Sequence, residues 1–134
     1  MKTEKIVDGN RILAIVIRGT DWEEGLNFVS SNEDYQQVGT WGYNKGQKLA
    51  PHIHVVAPRE IRYTQEVIFV KEGRVRADVY SEGKKHLRTI ELGRGDTMVL
   101  LRGGHGYEIM DDNTRVLEVK NGPYMGAEKD RERI

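Results

Sequence analysis

Short apolar or alternating runs, each closed by glycine or a polar cluster, recur along the whole chain, and helical 3.6-residue periodicity is hard to find. That punctuation marks β-strands joined by tight turns. RILAIVIRG (11–19) is β-branched and apolar, which predicts a buried strand. YQQVGTWGY (35–43) alternates and runs into the turn-like NKGQ. HIHVV (52–56) stops before Ala57-Pro58, because proline has no N–H to give to a ladder. EVIFVKEG (66–73) and RVRADVY (74–80) meet across Glu72-Gly73. In the second, Val75, Ala77 and Val79 alternate with Arg74, Arg76 and Asp78, so one face is wet. HLRTIEL (86–92), TMVLL (97–101), GYEIM (106–110) and TRVLEVK (114–120) complete the series. The only helix expected is a short one at 21–26, DWEEGL. The charged tail from about residue 125, MGAEKDRERI, is expected to be loose.

About nine short strands at hairpin spacing predict an all-β fold, either a jelly roll or another closed barrel. The 134 residues contain no repeat and no linker, and are read as one domain.

Composition then removes whole classes of function. Lys plus Arg and Asp plus Glu number 21 each, so the formal net charge is zero and no basic field draws the chain to nucleic acid. With no cysteine there is no disulfide, no thiolate catalysis and no thiolate ligand, leaving only nitrogen and oxygen donors. The N-terminal MKTEKIVDGN lacks an apolar signal core, and the early apolar run at 12–17 falls far short of the ~20 residues a membrane helix needs. A cytoplasmic protein with no membrane segment is expected.

Candidate chemistry centres on the histidines, of which there are four. On a strand, His52 and His54 would project from one face with Cα atoms about 6.5 Å apart, a separation from which two imidazoles can meet one ion at ~2.1 Å. The plainer alternative is a surface pair. Their neighbours Ile53, Val55 and Val56 argue for a core strand, and Glu66 opens the next strong strand on the face of Ile68 and Val70. His105 follows Arg102-Gly103-Gly104, glycines that let the backbone bend toward neighbouring strands. Its alternative is a turn histidine at the surface. His86, behind Lys84-Lys85, reads as surface.

These residues resemble the two short motifs of the cupin superfamily. In the first motif a glycine stands five residues before H-x-H, and a glutamate follows after three or four residues, six residues before a second glycine. Gly46, His52, His54, Glu66 and Gly73 match both ends. The departure is in the middle, where residues 55 to 65 form an eleven-residue insertion that contains the rival acid Glu60. In the second motif Gly95, Gly103 and His105 match, but Leu101 replaces a proline and His105 comes one residue early. The resemblance covers residues 36 to 120. It implies a jelly-roll (double-stranded β-helix) barrel, a homodimer, and one divalent ion of Fe, Mn, Ni, Co or Zn held by His52, His54, Glu66 and His105. The uninterrupted apolar first strand adds a second reason to expect a dimer, since it could extend a partner's sheet edge.

Around that ion, Trp41, Tyr43, Gln65 and Tyr107, with Tyr63, are candidates to line a pocket for a polar small molecule. Arg59, Arg62 and Arg102 are candidates to meet an anionic group on it. Core packing for the aromatic residues and simple solvation for the arginines are the alternatives. Two functions stay open. One is an enzyme, a dioxygenase or a sugar-type isomerase, including a metal-free form with histidine as base; the other is a non-catalytic cupin module binding a sugar or another small metabolite. The retained ligand set favours the first, and the motif departures favour the second.

Overall fold

A computed structural model describes residues 1–134. The strands are β1 (Glu4–Asp8), β2 (Arg11–Ile17), β3 (Gly25–Phe28), β4 (Gly39–Gly42), β5 (Glu66–Glu72), β6 (Val75–Tyr80), β7 (His86–Leu92), β8 (Thr97–Leu100), β9 (Gly104–Ile109) and β10 (Arg115–Lys120). One short helix follows, α1 (Ala127–Asp130). All pairings are antiparallel, in a five-stranded sheet ordered β1-β2-β8-β5-β10, a three-stranded sheet ordered β7-β6-β9, and a β3-β4 ribbon. The all-β reading holds, and the sheets are open, without a closed barrel.

The two larger sheets share one core. Alternation turns Ile68 and Val70 of β5 inward, and Val75, Ala77 and Val79 of β6 do the same from the other sheet. Ile6, Leu13, Ala14, Val16, Met98, Leu100, Ile90 and Leu92 complete that cluster. β2 and β8 sit between neighbours and are buried on both faces. This explains why β2 reads as an unbroken apolar run. The outer faces of β2 and β8, at Ile15 and Val99, join Leu101 in a smaller cluster covered by Val29 and Val38, which flank the β3-β4 ribbon.

Several expectations are corrected. The apolar strand 11–17 lies between β1 and β8, so it offers no free edge to a partner. HIHVV forms no strand; residues 43 to 65 carry no regular structure, and Ile53 is 89% exposed. No neighbouring strand supplies a ladder there, so the β-propensity of the run goes unused. The expected helix at 21–26 is absent, and Gly25, at φ 84°, begins β3 instead. Glycine at positive φ is a poor helix residue and a good turn residue. The tail holds one helical turn, and it is tethered: Thr64 donates to Asp130, and Lys84 pairs with Glu132 at 2.8 Å. No helix is long and apolar enough to cross a membrane.

Gly73 closes the β5–β6 hairpin at φ 79°, and a Cβ there would overlap the side chain of Thr114. Gly9 has a similar positive φ with open space around it. Gly9→Ala is therefore expected to cost about 1 kcal/mol, and Gly73→Ala clearly more, because steric overlap adds to backbone strain. Urea unfolding of the two variants checks the order.

Candidate functional site

Glu66 is the first residue of β5, on the inward face that continues through Ile68 and Val70. At that end of the sandwich the aliphatic core has run out, and the carboxylate is 8% exposed. Its partners come from the opposite sheet. β9 pairs with β6 so that His105 lies opposite Val79 and Tyr107 opposite Ala77. Residues opposite one another share a face, so both side chains point to the side of the core-facing Val79 and Ala77. His105 Nε2 stands 3.5 Å from Glu66 Oε2, and the Tyr107 hydroxyl donates to Glu66 Oε1 at 3.0 Å. Both carboxylate oxygens are thus engaged across the gap between the sheets.

The electrostatics follow from that arrangement. Burial taken alone raises the Glu66 pKa, but contact with His105, its charge, the Tyr107 hydrogen bond and the charge of Lys120 outweigh it. The carboxyl therefore titrates below the ordinary range and is ionised at neutral pH. Burial pushes the Tyr107 phenol strongly upward, reinforced by the negative charge and the hydrogen bond of Glu66, so it remains a donor.

Glu66 and His105 line an open cavity of about 670 Å³. Tyr63 and Arg102 form one wall, with the Arg102 guanidinium 5.3 Å from the centre of the Tyr63 ring. The C-terminal segment from Asp130 to Ile134 forms another wall. Gly104 permits that approach: a Cβ there would overlap the Ile134 side chain.

Of the sequence candidates, the structure brings together Glu66, His105 and Tyr107. His52 and His54 lie in the exposed stretch before β5, their rings 5.0 Å apart, and His52 Nδ1 donates to the Ala50 carbonyl at 3.1 Å. No three residues among His, Asp and Glu are gathered as a metal would need, so the four expected ligands do not form one set in this arrangement. The acid of the cluster is Glu66, while Glu60 is an exposed partner of Arg62 at 2.9 Å. Arg59 is exposed in the same stretch. Trp41 on the outer ribbon and Tyr43 just past its end stand 6.3 Å apart, away from the cavity lining.

Gln65 is not part of the lining of this cavity. It is fully buried and pins β5 to its surroundings: its side-chain carbonyl accepts from Gln36 N at 2.9 Å, and its own N–H donates to Asn121 at 2.8 Å. Strand alternation turns it to the face opposite Glu66. Sequence reasoning missed the tail residues Arg131, Glu132 and Arg133 and the rim residues Tyr80 and Glu82. The signal that could have found them is the glycine- and proline-bearing stretch NGPYMG at 121–126, a turn able to seat the tail against the sheets. Comparison with family models, curated proteins and solved structures finds no match to this chain.

Glu66 lowered in the folded state contributes stability that is complete above the ordinary carboxylate range and is lost as pH falls through the lowered value. By ¹³C NMR its titration midpoint is expected below that of an exposed glutamate. Tyr107→Phe and His105→Gln should each move it upward; an unchanged midpoint in both would contradict the assigned causes.

Proposed function

We propose that this chain is a small jelly-roll protein of the cupin type whose cavity binds a polar small molecule and moves a proton on it, as an isomerase or epimerase does. The observation that carries this reading is the Glu66–His105–Tyr107 cluster, an ionised buried carboxylate beside an imidazole at a cavity wall. Two facing antiparallel sheets with strand partners distant in sequence support the jelly-roll part of the reading.

The chemistry follows from the geometry. The His105 Nε2–H directed at Glu66 leaves Nδ1 as the nitrogen that accepts a proton. A C–H beside a substrate carbonyl gives its proton to Nδ1, and the C–H electron pair moves to the carbonyl oxygen as an enolate. Glu66 stabilises the imidazolium formed, and Tyr107 keeps Glu66 oriented and ionised. Return of the proton to carbon completes an isomerisation or epimerisation without net oxidation.

A second reading, a metal-dependent cupin acting as a dioxygenase or isomerase, is favoured by one observation. β9 has no strand on its outer edge, while the apolar stretch with His52 and His54 is unpaired. Addition of that stretch to β9 would carry both histidines toward His105. Fe, Mn, Ni, Co and Zn all suit such donors and would supply Lewis acidity. A homodimer belongs to both readings, supported by the apolar outer face of the β3-β4 ribbon, where Leu26 pairs with Trp41 and Trp41 is 59% exposed.

Solvent deuterium exchange into aldose and nucleotide-sugar substrates tests the first reading. His105→Gln is expected to lower the exchange rate by a factor of about 10² or more, and Tyr107→Phe by less. Exchange should survive a chelator and the His52→Ala substitution. If it is lost in both, while elemental analysis finds a bound metal, the second reading replaces the first.

A further inference from the structure

The charges lining the cavity do not balance one another. Of its four carboxylates, Glu66 is held by His105 and Tyr107, Glu82 pairs with Arg11 at 2.7 Å, and Glu132 pairs with Lys84 at 2.8 Å. Asp130 accepts a hydrogen bond from the Thr64 hydroxyl and has no cationic partner. The three guanidiniums of the lining, Arg102, Arg131 and Arg133, form no salt bridge at all. Among the lining side chains, three unpaired guanidiniums stand against two carboxylates without a permanent cationic partner, Asp130 and Glu66, which leaves an excess of one positive charge. Arg59, Arg94 and Arg115 are also without a salt bridge, but none of them lines this cavity, whereas Arg102, Arg131 and Arg133 all do.

We infer that Arg102, Arg131 and Arg133 bind a phosphoryl group of the cavity's ligand. This deepens the reading of the cavity as a small-molecule site and rests on it. Guanidinium offers planar paired donors that fit phosphate oxygens, and several around one anion supply both charge and direction. Arg102 is fixed against Tyr63 on the wall that precedes β9. Arg131 and Arg133 arrive from the far end of the chain, so the tail is a binding element of the site. Its tethers, Thr64–Asp130 and Lys84–Glu132, and the seat of Ile134 against Gly104 hold the two arginines at the cavity. The ligand would lie with its phosphoryl group among the arginines and its reacting carbon toward His105.

Calorimetric titration of the full chain with pyrophosphate and inorganic phosphate tests the inference, with malonate as the carboxylate comparison. Wild type is expected to bind pyrophosphate with an affinity that falls as salt rises. Arg102→Gln and the double variant Arg131→Gln/Arg133→Gln should each weaken binding by about tenfold or more, and Arg59→Gln should leave it within about twofold. Far-UV circular dichroism confirms that each variant is folded. Thr64→Val removes the tether to Asp130 without changing any charge, and a weaker affinity there separates tail placement from overall charge. Binding unchanged in the Arg131→Gln/Arg133→Gln variant, no binding of either phosphate, or tighter binding of malonate than of pyrophosphate would overturn the inference. Failure here leaves proton exchange on uncharged sugars untouched, and failure of proton exchange leaves pyrophosphate binding at the arginines intact, so the two readings fall separately.

Discussion

Thirteen buried side chains drawn from β1, β2, β5, β6, β7 and β8 meet between the five-stranded and the three-stranded sheet. Each sheet is antiparallel and needs only one face covered, so each supplies what the other lacks. Because the core is aliphatic throughout, its burial fixes distance and orientation without any polar group to satisfy inside it. No buried side-chain nitrogen or oxygen is left without a partner. Everything chemical in this molecule is therefore displaced to where the aliphatic contact ends.

Glu66 marks that end. It occupies the position on β5 that would continue the run of Ile68 and Val70, yet a carboxylate there loses most of its hydration. The same sheet-to-sheet spacing that packs Val70 brings β9 close enough for His105 and Tyr107 to replace the lost water. A single charge-bearing position thus depends on strands of two sheets, and shifting β9 by one residue would turn both side chains away from it. Elsewhere polar contacts fasten turns instead. Asp96 accepts from Gly19 N and Gly93 N and pairs with Arg18 at 2.8 Å, joining the turn before β8 to the end of β2.

The cavity also depends on the tail. Without the stretch from Asp130 to Ile134 the Glu66–His105 pair would sit in an open groove between two sheet ends. The tail adds one wall and both signs of charge, and its acids are each tied to the body of the protein. Its arginines are left facing the space. Clusters of exposed apolar residues also lie away from the cavity, on the β3-β4 ribbon, on β10 and in the stretch around Ile53. Recognition of a small polar ligand and association through apolar surface would therefore use different faces.

How much of this was legible beforehand depends on the range over which each feature is set. Strand identity is local: Arg11–Ile17, Glu66–Glu72 and His86–Leu92 could be read from alternation and from the glycines that close them, within a residue or two. The position of Glu66 on the inward face was legible for the same reason, since the period of two fixes which residues share a side. β1 was missed, because EKIVD buries only Ile6 and so carries too little pattern. HIHVV failed in the opposite way, since its β-branched residues match a strand in composition while no neighbour pairs with it. Pairing partners, the free edge of β9 and the return of the tail to Gly104 are set by contacts between residues tens of positions apart. The sequence by itself determined most of the strands, the faces they bury and the acid that ends the core. Only the tertiary structure decided that His105 and Tyr107, not His52 and His54, stand against that acid, because which side chains meet across two sheets depends on how the sheets pack, and no local spacing encodes it.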